Sequence, residues 1–239
     1  MNSSILEVKN ISISFDNKKT YILKDISFSV EKWQTISIIG MNGSGKSTLL
    51  KSIAGIQKLS SWEIEKGDIS MSYVPQKINI DSSFPISVIE FIKIYNKWKN
   101  KKDILKYLKK FKSSSLLEKN VGDLSGWELQ KVLIISSILS KPDLILLDEP
   151  TSGIDIMWEE IFYNNISELK NLFPDISIII VSHNIHLVYK NSDKVVCLHK
   201  NNFCCHGTPE QLKENQSVQD IFWDSVALYE HNPHNKHNH

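Results

Sequence analysis

The chain has 239 residues, of which 41% are hydrophobic, and a formal net charge of +1. That suffices for one large domain or a core with subdomains, and the balanced charge gives no electrostatic case for nucleic acid. No apolar run approaches the roughly 18 residues of a membrane span, and residues 1–10 (MNSSILEVKN) lack the apolar core of a signal peptide, so a cytosolic protein is expected.

Residues 5–15 (ILEVKNISISF) and 21–30 (YILKDISFSV) alternate apolar and polar side chains around a turn at 16–19, which predicts two antiparallel strands. Phe15 ends the first, where an aromatic either stacks on a base or joins the core. Residues 35–39 (TISII) read as a buried strand, and residues 47–54 as a helix that stops at Gly55. Between them Gly40-Met41-Asn42-Gly43-Ser44-Gly45-Lys46-Ser47-Thr48 fits G-x-x-x-x-G-K-[ST]. Strand, loop and helix in that order suit a phosphate: glycines let backbone N–H groups close around the anion, and the helix N-terminus adds partial positive charge. Lys46 would reach the β- and γ-phosphates, and Ser47 would give its hydroxyl to Mg²⁺.

Residues 60–67 (SSWEIEKG) read as a turn-rich link, and residues 69–75 as a strand ending at Gln76. Residues 88–111 form a lysine-rich amphipathic helical insert, whose cluster from Lys97 to Lys102 reads as a solvated face rather than a nucleic-acid site. A Ser-rich break at 113–115 follows. Leu124-Ser125-Gly126-Trp127-Glu128 precedes a helix and then Leu144-Ile145-Leu146-Leu147-Asp148-Glu149-Pro150. Four apolar residues ending in two acids predict a buried parallel strand with carboxylates at its C-terminal end, where ligands bind in such sheets. Asp148 would hold Mg²⁺ through water and Glu149 would polarise the attacking water; the alternative is a structural pair of acids. Ser152-Gly153-Ile154-Asp155 follows, then a helix to Leu172, a strand at 177–181 (SIIIV), and His183 at that strand's end, read as a γ-phosphate contact. Three cysteines, Cys197, Cys204 and Cys205, suit a reducing compartment. Cys204-Cys205-His206 is either a soft-metal ligand set or a plain strand end, with the strand end favoured.

In these motifs the sequence resembles the ATP-binding subunits of ABC transporters over nearly its whole length. The resemblance rests on the loop at 40–48, Gln76, the LSGWE signature at 124–128, LILLDEP at 144–150, SGID at 152–155, and His183, six motifs in the family's order. It implies an α/β fold: a P-loop NTPase core with a mostly parallel sheet, an N-terminal antiparallel β subdomain and a helical subdomain at about 84–140, all in one domain spanning 1–239. It further implies an ATPase that works as a head-to-tail homodimer with ATP and Mg²⁺, each ATP lying between the loop of one copy and Ser125-Gly126 of the other. Phe15 matches the adenine-stacking aromatic, Gln76 the sensor linking Mg²⁺ to the membrane subunits, and Asp155 the contact across the dimer. Integral membrane permease subunits would be direct partners and an external substrate-binding protein an indirect one, with no nucleic acid involved. The ATPase would then sit in the cytoplasm, peripheral on the inner face of the membrane.

A narrower resemblance is to importers of divalent metal ions such as zinc, manganese and iron. It rests on Tyr73-Val74-Pro75-Gln76-Lys77, Ile80-Asp81, Phe84-Pro85-Ile86-Ser87-Val88, Cys205-His206-Gly207-Thr208-Pro209 and a tail at about 224–239 holding His231, His234, His237 and His239. The tail's imidazoles either gather metal or are merely solvated. An ATPase for another transported substrate, a soluble ABC protein acting on DNA or ribosomes, and a module that binds ATP without hydrolysing it stay open as alternatives.

Two positions depart from the family pattern. Lys131 stands where arginine is usual, which keeps the charge and loses the planar fork. Trp127 stands at the signature's second glycine, where an indole would crowd the partner's γ-phosphate. Trp33, Trp62 and Trp223 also occupy glycine-like sites, with Trp98 and Trp158 weaker cases. Glycine makes up 9 of 239 residues, about 4% against a usual value near 7%. All six tryptophans are therefore read as candidate UGA codons that the living cell translates as glycine; the alternative is a true, divergent and inactive ATPase. The 28 basic residues are all lysine, and the abundance of Lys, Ile and Asn fits an A/T-rich genome.

Overall fold

The computed structural model describes residues 4–14, 21–57, 61–78, 80–96, 100–152, 156–198 and 204–213. The first half of the chain runs β1 (Ser4–Ser14), β2 (Tyr21–Glu31), β3 (Thr35–Gly40), α1 (Lys46–Ile53), β4 (Ser61–Lys66), β5 (Met71–Val74), α2 (Val88–Asn96) and α3 (Lys101–Lys110). The second runs α4 (Gly126–Leu139), β6 (Leu144–Asp148), α5 (Ile156–Leu172), β7 (Ser177–Val181), α6 (Ile185–Asn191), β8 (Lys194–Leu198), β9 (Cys204–Gly207) and α7 (Pro209–Lys213). Two sheets result: an antiparallel one ordered β2-β1-β4, and a larger one ordered β5-β6-β7-β3-β8-β9 that is parallel except at β9.

The predicted pair β1 and β2 forms with a bulge. Leu6 and Val8 are buried on one side of it and Ile11 and Ile13 on the other, so the inward parity changes midway. An extra residue resets it: the register shifts between Val8 and Ile11, and Asn10 takes φ 49° there. Residues 61–66 correct the sequence reading, because this stretch is strand β4 rather than a link and pairs antiparallel with β1. Its serines and nearby glycine suggested a turn, but pairing with a ready-made edge fixes the strand through a contact distant in sequence.

The helical insert also needs correction, because residues 88–110 form two helices. α3 has its own start, where the Asn100 side chain accepts a hydrogen bond from the Lys102 amide. Ile104 and Leu108 are fully buried, whereas Lys101, Lys102, Lys109 and Lys110 face solvent, so the described lysines do form a solvated face.

Alternation along the large sheet gives its two faces different neighbours. Ile145, Leu147, Ile178 and Ile180 pack toward α2, α3, α4 and α5, whereas Leu144, Leu146, Ile179, Val181, Ile36 and Ile38 pack toward α1 and the antiparallel sheet. A third, smaller cluster joins Ile39, Val195 and Cys197 to Val188 and Leu212. Among the described residues, no helix is long and apolar enough to cross a membrane.

The turn from β2 to β3 carries a local conflict. Trp33 has φ 67° and a side chain 55% exposed, so it bears left-handed strain with little burial in return. The turn is held by the backbone, since the Trp33 amide donates to Ser177 Oγ at 2.9 Å. Trp33→Gly should therefore raise stability by roughly 1 kcal/mol, the left-handed penalty less the entropy of a freer unfolded chain. A urea midpoint that is unchanged or lower would contradict this account.

Candidate functional site

The site lies at the C-terminal ends of β3, β6 and β7, which are adjacent in the sheet. β3 ends at Gly40, and an ideal Cβ there would lie 2.2 Å from the Leu198 carbonyl oxygen, so only glycine lets the loop leave the sheet this close to β8. Residues 41–45 then turn sharply: the Ser44 amide donates to the Met41 carbonyl at 3.1 Å, and Gly45, with φ 93°, caps α1. Asn42 and Gly43 are exposed at the tip, whereas Ser44 and Lys46 are buried. The Lys46 ammonium lies inside the loop and donates to the carbonyls of Gly40 at 2.9 Å and Met41 at 3.0 Å. Burial pulls Lys46 below its ordinary value, and the Glu149 and Asp148 carboxylates partly offset this.

Ser47 and Thr48 open α1. Ser47 Oγ donates to Asp148 Oδ1 at 2.7 Å, tying the helix to the end of β6. Asp148 is only 2% exposed, and its second oxygen accepts from the Tyr73 hydroxyl at 2.9 Å. Burial, followed by the charge of Asp148, pushes the Tyr73 hydroxyl well above its ordinary value, so it stays a donor.

Glu149 follows with φ 44°, a strained conformation of the kind that gathers at functional sites. Both its oxygens are held: Gln76 Nε2 donates to Oε2 at 2.6 Å, and His183 Nε2 lies 2.7 Å from Oε1. The hydrogen bond from His183 is the largest influence holding Glu149 below the usual carboxylate range, against an opposing burial effect. His183, expected at the γ-phosphate, is thus placed on Glu149. Gln76 Nε2 also donates to Ser152 Oγ at 3.1 Å.

Lys46, Ser47, Gln76, Asp148, Glu149 and His183, widely separated in sequence, are thereby brought together. Ser125 and Gly126 sit on a different element, the N-terminus of α4, where Ser125 and Glu128 form a reciprocal capping box. A Cβ on Gly126 would meet nothing within 4 Å. Phe15 and Asp155 lie outside the described residues, as does the histidine tail.

Trp127, in the first turn of α4, has no left-handed backbone. Its ring packs edge-on to Phe162 at 6.2 Å and lies under Lys131 Nζ at 4.9 Å from the centroid. Burial pulls Lys131 below its ordinary value. Cys205 and His206 are successive residues of β9 and so point to opposite faces, which separates two of the three side chains in the soft-metal alternative. Among the described residues, no group of three or more His, Cys, Asp or Glu side chains is arranged to hold a metal ion.

Two features escaped the sequence reading. The first is Tyr73 as a donor to Asp148, which no sequence signal marks, since inward alternation alone reads as core. The second is a brace in which Glu159 accepts from Thr151 Oγ1 at 2.9 Å and from Asn184 Nδ2 at 2.9 Å, joining the loops after β6 and β7.

A profile described as ABC transporter matches residues 23–152. The zinc import ATP-binding protein ZnuC of Wigglesworthia glossinidia brevipalpis is 40% identical over 234 residues, covering 96% of this chain and 99% of that protein. The protein of the same name from Buchnera aphidicola subsp. Baizongia pistaciae is 38% identical, covering 99% and 98% respectively. Among solved structures, an ATP-binding cassette of an ABC transporter in its ADP conformation superposes with a TM-score of 0.76 at 25% identity, covering 92% of this chain and 99% of that one.

The Glu149 interaction sets an acid-limb prediction. A carboxyl whose folded pKa lies below its ordinary 4.5 adds stability that is present above that value and lost as pH falls through the folded pKa. The stability of wild type relative to Glu149→Gln should therefore shrink as pH falls below about 4.5, measured by urea midpoints across that range. A difference that does not vary with pH would contradict the pairing.

Proposed function

The chain belongs to the ABC transporter family of ATP-binding subunits, and on that premise we propose that it powers import of divalent metal ions, zinc foremost, through a membrane permease. It is an ATPase of mixed α/β fold. The observation that carries the reading is the convergence of Ser47 with Asp148, and of Gln76 and His183 with Glu149, beside the phosphate-type loop. Metal specificity is supported by relatives named for zinc import at 35–40% identity across 88–99% of their length.

In this reading residues 40–48 cradle the phosphates of ATP, and Lys46 turns from loop carbonyls to β- and γ-oxygens. The Ser47 hydroxyl, the Asp148 carboxylate and the Gln76 amide oxygen are hard donors that suit Mg²⁺, with Asp148 acting through water. Mg²⁺ held there would neutralise charge developing on the phosphates. Glu149, kept ionised by His183, accepts a proton from the attacking water. Gln76 uses its amide N–H on Glu149 and Ser152, which leaves its oxygen for the metal and makes it a sensor between site and permease. Two copies would pair head to tail so that Ser125 and Gly126 of one meet the ATP of the other, with Phe15 on adenine and Asp155 across the interface. The dimer would sit peripherally on the inner face of the membrane, with an external substrate-binding protein feeding the permease.

Glu149→Gln keeps the side chain's shape and removes its basicity. It should lower ATP turnover by about 100-fold or more and shift the protein from monomer to dimer in size exclusion with Mg·ATP. A monomer at saturating ATP in this variant would argue against the shared site.

The alternative of an ATP-binding module that does not hydrolyse draws on Trp127, whose indole sits within the signature. Trp127→Gly should raise permease-coupled ATPase activity several-fold, and a UGA codon at this position together with native peptide masses showing glycine would mean that the cell already makes the glycine form. Unchanged turnover in the variant would show that the indole does not impede hydrolysis.

A further inference from the structure

The hairpin at the far edge of the large sheet has a feature that nucleotide chemistry does not use. β8 and β9 run antiparallel, and their register sets Cys197 directly opposite Cys205. Opposed residues in such a ladder keep their Cα atoms about 4.5 or 5.5 Å apart, and both spacings fall within the roughly 4.4–6.8 Å that a disulfide spans. Opposed side chains also share a face. Here that face carries Ile39 and Val195, with Tyr189 from α6 and Leu212 from α7 packed over it. Cys197 is buried at 1% exposure and Cys205 is half-buried, so the second thiol is the one a reagent can reach.

We propose that Cys197 and Cys205 form a reversible dithiol/disulfide pair, with Cys205 the attacking thiol, Cys197 the resolving thiol and a small-molecule disulfide the oxidant. Neither is in a disulfide in this structure. A hydrogen bond from Cys197 is the largest influence holding the Cys205 thiol below its ordinary value, against burial, and favours the thiolate that attack requires. The Cys205 thiolate attacks one sulfur of the oxidant, forming a mixed disulfide and releasing one small thiolate. Cys197, losing its proton to solvent, then attacks the Cys205 sulfur and expels the second small thiolate. The protein pair loses two electrons and two protons, and the oxidant is reduced to two thiols. Cys204, a neighbour of Cys205 in sequence, pairs in register with Leu198 and is not opposed to Cys197.

The test uses the full chain with glutathione disulfide as the oxidant. Remaining thiols are alkylated and the protein is cleaved after lysine, which separates Cys197 from the other two cysteines at Lys200. Free thiols should fall from three to one per chain, with fragment masses that join Cys197 to Cys205 and leave Cys204 alkylated, and dithiothreitol should restore all three. Cys204→Ser should keep the linkage and Cys205→Ser should lose it. The wild-type mapping decides the matter even where a variant folds poorly. Linkage through Cys204, a stable glutathione adduct on Cys205 alone, or three alkylated thiols would each overturn the proposal. ATP turnover plays no part in this readout, so its failure is distinct from failure of the transport reading.

Discussion

The burial of Asp148 is the constraint on which the rest of the site depends. A carboxylate at 2% exposure is tolerated only when its oxygens are paired, and here the donors are Ser47 from α1 and Tyr73 from β5. Neither is near it in sequence. The phosphate-type loop must close, so that α1 starts where Ser47 can reach. β5 must also pair with β6 in the register that sets Tyr73 beside Leu146, two residues before Asp148. Loss of either hydroxyl would leave a buried charge with one oxygen unsatisfied, a cost of about 1–3 kcal/mol or more. The acid at the strand end thus ties the fold to the chemistry, because the contacts that make its burial tolerable also place a metal-type donor beside the loop.

Glu149 shows the same coupling through the backbone. Its left-handed φ turns the chain directly after β6 and costs about 1–3 kcal/mol. The turn persists because both ends are held: the Ser152 amide donates to the Glu149 carbonyl at 3.0 Å, and Gln76 and His183 grip the carboxylate. Gln76 leaves the sheet after β5 and His183 after β7, the two strands that flank β6. The carboxylate is therefore fixed from both sides of its own strand, which restricts its position more than one partner would.

Much of this could be read from sequence because the informative signals were local. The spacing of glycines and lysine at 40–48, and the apolar run ending in two acids, place their residues whatever the distant chain does. The capping pair of Ser125 and Glu128 is likewise local and marks the start of α4. The strand β4 could not be read in this way, since its pairing with β1 is set by an edge more than fifty residues earlier, and its composition favours turns. The split of the helical insert was partly legible, because Asn100 is an N-cap residue before a periodic run. Tyr73 went unnoticed for another reason: a tyrosine on a buried strand reads as core, and only its hydroxyl's partner shows otherwise.

The two described tryptophan side chains show how far a family pattern can be pressed. Both occupy positions where glycine is expected, yet the structure treats them differently. At residue 33 the backbone itself demands a left-handed φ, the ring is largely in solvent, and glycine is the residue that suits the site on physical grounds alone. At residue 127 the backbone is helical and the ring has partners in Phe162 and Lys131, so nothing within one chain demands glycine. A requirement for glycine there would have to come from outside the chain, as the proposed approach of a second copy and its nucleotide would supply. A codon read as glycine would relieve strain in the monomer at the first site and, in the proposed head-to-tail pair, clear an interface at the second. On the isolated chain, glycine at residue 33 relieves strain, whereas at residue 127 it gives up the ring's contacts with Phe162 and Lys131, so a gain there could show only in the proposed pair.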